Sequence, residues 1–448
     1  MKDINLLEGK IKSTLVRFSF PFLLTYILEN LYSAVDMAIV GHFAAASDVS
    51  AIATGGQVMN TVLMVCLGFC NSITVLVGRK TGENDMASVR KVIGNTITIL
   101  SMLTLLLIGI VAFGNKTIVA LMQTPQEAVA SASSYLLICG LGIPFIVGYN
   151  LVCEIYHGFG DAKTPLLFVA IASVFHILSD VIVVGHFGMG AQGAAISTII
   201  SQGISFGLGV WHLRYGKTKL RISRSDLKID RPISGSILKI GTPMVLYYLQ
   251  RNVSYLIVTA IINTSGVIAS AAAGVTETVV GFALLIPSSV GSAISVITAQ
   301  NLGAGRRDRA EQSLFWGIKI CAGSGILVFL FSQIAPQVLT GLFINKPEVI
   351  EAAALYLRTY SIDCILLGIA SCMNAFFIGN GKSFICMAHV IAAAFLGRIP
   401  LSYIISKMPG TTLWHMGFAA PAGTMISVLI LIVCFLYFKK KVWKSIEQ

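Results

Sequence analysis

"FSFPFLLTYILENLYSAVDMAIVG", residues 18–41, carries only two charged side chains, Glu29 and Asp36. As a helix the stretch is about 36 Å long, enough to cross a hydrocarbon core of about 30 Å. It shows no period-two alternation, so a barrel strand is not indicated. A carboxylate inside a bilayer costs about 2.5 to 3.5 kcal/mol on insertion scales. Two in one span, seven residues apart on one helical face, ask for a functional reason.

The rest of the chain is of the same kind. It is 55% hydrophobic and 12% charged over 448 residues, with a mean hydropathy of +0.82, far above an ordinary soluble domain. Twelve apolar runs, centred near residues 27, 63, 102, 144, 176, 201, 250, 284, 326, 366, 394 and 426, are each long enough for a spanning helix. The N-terminal run is too long for a signal-peptide core and lacks a small-residue cleavage site, so it is expected to be the first retained span. The nine cysteines lie mostly within the runs and show no metal-binding spacing, which predicts small apolar packing.

The net charge of +12 would suggest nucleic acid in a soluble protein, but its distribution argues otherwise. Dealing Lys and Arg to alternate loops puts 24 of the 32 on one side, from Lys2, Lys10 and Lys12 to Lys441 and Lys444. Only Lys116, Lys346 and Lys407 fall on the other. That asymmetry predicts twelve spans with both termini cytoplasmic, and no nucleic-acid partner.

The longest polar connection, residues 214–235, divides the chain almost in half. Around it the sequence repeats at an offset of about 221. "RFSFPF" at 17 answers "KIGTPM" at 239, pairing Pro21 with Pro243; "QEAVASASSYL" at 126 answers "PEVIEAAALYL" at 347; "GDAKT" at 160 answers "GNGKS" at 379. Six spans per half is an even number, so the halves run in the same direction through the membrane. The expected fold is an all-α membrane protein, two parallel-repeat six-helix bundles (1–213 and 236–448) around a central cleft, joined by a basic cytoplasmic linker at 214–235. Pro21 marks a potential bend in the first helix.

Several motifs fail on inspection. "GMGAQG" at 188–193 fits a dinucleotide fingerprint but joins two apolar runs without a strand. "GKT" at 216 and "GKS" at 381 lack the upstream glycine of a phosphate loop, which is Trp211 or Phe376. No hydrolase or metalloprotease signature is present, so no enzyme and no cofactor are expected, and work on a substrate would draw on an ion gradient.

The ionisable residues within spans are then the candidate site. Asp36, Asp180 and Thr198 lie five, six and seven residues from the same membrane surface, about 8 to 11 Å deep. His176 is one turn from Asp180, and Glu29 two turns from Asp36. Two carboxylates close together in low dielectric require a shared proton or a cation between them, so H+ or Na+ at Asp36 and Asp180 is expected. Lys319, Arg358 and Arg398 are expected to snorkel or form ion pairs, with Asp363 a potential partner of Arg358.

"P-x(14)-D" from Pro21 to Asp36, "LYSAVD" before "VGHF", and "HILSD" at 176–180 followed by "GMGAQGAAIST" together resemble the multidrug and toxic compound extrusion (MATE) family, in its DinF-like branch near bacterial MepA-type exporters. The resemblance spans essentially the whole chain. It implies an ion-coupled antiporter of the bacterial inner membrane that exports bulky, often cationic and aromatic drugs by alternating access. It places a coupling-ion site on Asp36, His176, Asp180 and Thr198. His176 replaces the family's asparagine, which favours proton coupling because an imidazole titrates near neutrality. Glu29, Tyr32, Asn150 and Glu154 are candidate substrate contacts in an acidic, aromatic cleft. Small-molecule drugs and membrane lipids are the expected partners, and a monomer the expected form. A lipid-linked precursor flippase of the same superfamily is the alternative, though it would want a basic cleft.

Overall fold

The computed structural model describes residues 4–216, 218 and 220–440. Lys2, Lys217, Lys219, Lys441 and Lys444, counted with the basic loops above, lie outside the described residues. Among the described residues every regular element is helical.

The helices are α1 (Ile11–Phe43), α2 (Ala46–Gly82), α3 (Met86–Leu121), α4 (Val129–Phe159), α5 (Lys163–Asp180), α6 (Gly190–Tyr215), α7 (Arg231–Asn263), α8 (Val267–Ala283) and α9 (Leu285–Gly303). They continue with α10 (Arg307–Ile334), α11 (Pro336–Gly341), α12 (Pro347–Tyr360), α13 (Ile362–Gly379), α14 (Ser383–Ala392), α15 (Ile399–Lys407), α16 (Leu413–Met416) and α17 (Ala419–Phe438). Eleven helical segments are long and apolar enough to cross a membrane, and α8 with α9, bent by 43°, makes a twelfth. Each falls on one of the twelve runs expected from the sequence.

Local chemistry sets the boundaries. Asp85 caps α3 by accepting the Ser88 amide at 3.0 Å, satisfying one of the orphan donors of a helix start. Asp161 accepts the Lys163 and Thr164 amides at 3.0 and 3.1 Å to begin α5. Gly160, at φ +83°, ends α4 in the left-handed region where glycine carries no steric penalty. α5 runs on as a π-turn over Val181–His186, and α14 does the same over Ala393–Arg398. Both bulges interrupt the fifth span of their repeat, and such turns recur at functional sites.

The chain packs as two compact units. One contains Phe20–Val245, the other Leu7–Ser19 and the chain from Leu246 onward. The crossings at Ser19/Phe20 and Val245/Leu246 therefore lie inside α1 and α7, close to Pro21 and Pro243. Packing units and sequence repeats are thus offset: each repeat's first helix begins with one unit and ends with the other.

In the first unit α4 is central, packed along α2, α3 and α6. The described residues 220–235 belong to this unit and are clasped by α3. Asn95 Oδ1 accepts the Asp230 amide at 2.7 Å and the Ser234 hydroxyl at 3.0 Å, and Thr98 donates to the Leu227 carbonyl at 2.7 Å. A side chain at Gly94 would lie 2.2 Å from the Asp226 carbonyl oxygen, so the linker can approach only because residue 94 has none. The cysteines are free, and eight of the nine are buried, as packing residues.

In the second unit the expected pairing of Asp363 with Arg358 is corrected. Asp363 is fully buried and lies 4.0 Å from Arg398 on the α14 bulge, while Arg358 is exposed. Five residues apart, Asp363 and Arg358 point to different helix faces, and the break at Ser361 separates α12 from α13. Arg398 also donates to the Tyr360 hydroxyl at 2.6 Å, which donates to Glu277 at 3.0 Å. Lys319 lies over the Trp316 ring at 4.7 Å, its stem along the helix and its charge on the ring face.

Candidate functional site

Glu29, Tyr32 and Asp36 share one face of α1, at spacings of three and four. His176 and Asp180 share a face of α5, Asp180 being its last residue before the π-turn. Thr198 sits on α6, eight residues past its start.

The fold brings these elements together within the first unit. Ligand atoms of Asp36, His176 and Asp180 all lie within 4.8 Å of one another, a spacing that could hold a metal ion. Asp180 has no solvent exposure and His176 4%, while Asp36 is half-buried. His176 Nδ1 lies 2.9 Å from Asp180 Oδ2. His176 Nε2 lies 3.2 Å from the Thr198 hydroxyl, which donates to the Ala194 carbonyl at 3.0 Å. Among the described residues, no donor hydrogen-bonds to either oxygen of Asp180 or to Asp36 Oδ1. Buried carboxylate oxygens in that state are expensive.

His176 and Thr198 also line a small cavity of about 50 Å³ with Glu29, Tyr32, Tyr149, Ser173, Ser201 and Gln202. It is polar and large enough for water or a small ion. The Tyr32 ring meets the His176 ring edge-on at 5.3 Å between centroids. Six of the eight candidates named from the sequence thus meet directly or across this cavity: Asp36, His176, Asp180, Thr198, Tyr32 and Glu29. Of these Glu29 is exposed, at the cavity rim.

Asn150 and Glu154 do not line it. Asn150 donates to the Ile146 carbonyl at 2.8 Å in its own helix. Glu154 accepts the Thr74 hydroxyl of α2 and lies 3.5 Å from His157 Nδ1, so its carboxylate ties α4 to α2. Ser173, Ser201 and Gln202 escaped notice in the sequence, yet each is three or four residues from His176 or Thr198 and follows from helical spacing. Tyr149 gave no such signal.

Two stretches of the chain, residues 21–182 and 243–404, match the MatE family model, one in each repeat. "Probable multidrug resistance protein YpnP" of Bacillus subtilis (strain 168) is 25% identical over 100% of this chain and 99% of its own. "Probable multidrug resistance protein YoeA" of the same organism is 26% identical over 96% and 95%. A solved structure described as the outward-facing conformation of a multidrug resistance MATE family transporter of the MOP superfamily superposes with a TM-score of 0.90 at 22% identity, covering 100% of this chain and 99% of that one. The two-fold match, the shared fold and the acidic cluster in the first repeat agree, and the chain belongs to the MatE family of multidrug and toxic compound extrusion transporters.

Proposed function

We propose that this protein is a secondary active efflux transporter of the bacterial inner membrane, exchanging H+ or Na+ for drugs, often cationic and aromatic, by alternating access. Both termini are cytoplasmic in this reading, and the monomer is the working unit. The single observation that carries it is the meeting of Asp36 and Asp180, from separate helices, around His176 without hydrogen-bond donors for Asp180. Such a cluster is stable only when a proton or cation is shared within it, so occupancy by the ion alters the energy of the surrounding packing.

The hydrogen-bond pattern favours the proton. Thr198 gives its one hydroxyl proton to Ala194, so it accepts from His176 Nε2. Nδ1 then faces Asp180 at 2.9 Å, lone pair against carboxylate, unless a proton lies between them. Binding one proton removes that repulsion and lowers the charge of the site. Glu29 and Tyr32, at the cavity rim, supply the negative charge and ring face that attract an organic cation. Exchange follows if cation drug and coupling ion compete for the same negative charge.

The test is uptake of a fluorescent organic cation into inverted vesicles driven by a proton gradient alone or a sodium gradient alone, for wild type and Asp36→Asn. Uptake with either gradient that the substitution abolishes supports the reading. Gradient-driven uptake unaffected by the substitution overturns the site.

A further inference from the structure

A second cavity in the first unit is much larger than the acidic one. It occupies about 1000 Å³ among α3, α4, the end of α6 and the start of the linker. Ile97 and Leu105 of α3, Leu151 of α4 and Phe206 of α6 form its walls. Gly148 of α4 makes room for Phe206: a side chain there would lie 2.6 Å from the ring. Along α3 the cavity runs from Ile93 to Ile108, about 22 Å, which is the depth of one bilayer leaflet and somewhat more.

Its mouth is different in character. Arg214, Tyr215 and Arg221 line it, at the end of α6 that leads into the basic linker. The Arg214 guanidinium lies over the Tyr215 ring at 5.5 Å, and Trp211 neighbours Tyr215 with 6.5 Å between ring centroids. Both aromatic rings are more than half exposed, the placement of an interfacial belt at headgroup level. The Leu220 amide donates to the Leu213 carbonyl at 2.9 Å and pins the linker over the end of α6, so Arg221 is held at the mouth. Leu105, in the cavity wall, is 70% exposed.

Among the described residues no Asp or Glu lines this cavity, and the two charged groups at its mouth are both guanidinium. That argues against an organic cation and for an anionic amphiphile with a long apolar tail. We propose that the cavity is a binding site for one anionic phospholipid, its acyl chain lying along α3 and α4 and its headgroup phosphate held by Arg214 and Arg221. Basic pockets between spanning helices at the charged membrane face recognise lipid headgroups in this way, and guanidinium matches phosphate geometry. A bound lipid would join α3, α6 and the linker, three elements of one unit.

The experiment is native mass spectrometry of the purified full chain after detergent washing and re-exposure to phosphatidylglycerol or phosphatidylcholine. Wild type is expected to retain one phosphatidylglycerol with about tenfold preference over phosphatidylcholine. Arg214→Gln with Arg221→Gln, both at exposed positions, should erase the preference, and Ser101→Trp, which fills the cavity from its exposed rim, should erase retention of both lipids. Soluble glycerophosphoglycerol should not displace the lipid, because it lacks the tail. Equal retention of the two lipids by wild type, unchanged preference in the double variant, or displacement by the fluorescent cation used for transport would overturn the assignment.

Discussion

Asp180 Oδ2 lies 2.9 Å from His176 Nδ1, one turn earlier on α5, and no donor among the described residues forms a hydrogen bond to that carboxylate. A buried acid held in this way is under electrostatic tension. Its neighbour Asp36 adds to the tension, and in the proposed function a proton or a small cation relieves it.

Asp180→Asn and Asp36→Asn should each lower dye efflux from cells by at least about tenfold while leaving the purified protein as stable as wild type or more so, because each removes a buried charge. Efflux and thermal unfolding measured on the same variants separate the two effects. Reduced stability with normal efflux per molecule would point to a purely structural role.

His176→Asn removes the imidazole while keeping a hydrogen-bonding group of similar reach. Uptake driven by a proton gradient should fall severalfold, and any sodium-driven component should persist. Parallel vesicle assays with the two gradients read this directly. An equal fall under both would assign His176 to the binding of either ion.

Arg398→Met strands Asp363 and the Tyr360–Glu277 pair without their cation. Removing one partner of a buried ion pair costs about 3 to 5 kcal/mol, so a marked fall in Tm is expected. Adding Asp363→Asn should recover part of it, and a double-mutant cycle on Tm measures the coupling.

Asn95→Leu removes the acceptor for the Asp230 amide and Ser234 hydroxyl. Each lost bond weakens the linker's attachment to α3 by about 1 kcal/mol. Trypsin should then cut after Arg221 or Arg224 several times faster than in wild type, with the spanning helices intact on a gel.

Within the linker, the Ser223 hydroxyl and amide hold the Asp226 carboxyl below the usual aspartate range. A depressed folded-state value contributes order that is present above the unfolded pKa and lost as pH falls through the folded one. Amide hydrogen exchange around Ser223 should therefore accelerate on acidification, and Asp226→Asn should show the acid behaviour at neutral pH.

Hydropathy was enough to locate every helix long and apolar enough to span among the described residues, because a bilayer demands about 20 apolar residues per crossing whatever the fold. The cluster of Asp36, His176, Asp180 and Thr198 was legible for a related reason. Charge in hydrocarbon is so costly that the few residues carrying it stand out, and residues four apart on a helix must share a face. Ser173, Ser201 and Gln202 were readable by the same spacing but are neutral, and neutral polar residues are common enough in such helices to draw no attention.

Other features arise only when helices pack. Glu154 has the same chemistry as Glu29, yet one ties α4 to α2 through Thr74 and the other faces a cavity; which neighbour a helix face meets is not written in its own period. Asp363 turned to Arg398, 35 residues on, and not to Arg358 in the adjoining helix. The linker lies on α3 because Gly94 lacks a side chain, and Gly148 lets Phe206 pack close to α4 in the wall of the apolar cavity. One-dimensional patterns settle which residues leave water, since that depends on solvent alone; which of them then touch depends on long-range steric fit, and that exists only in the folded chain.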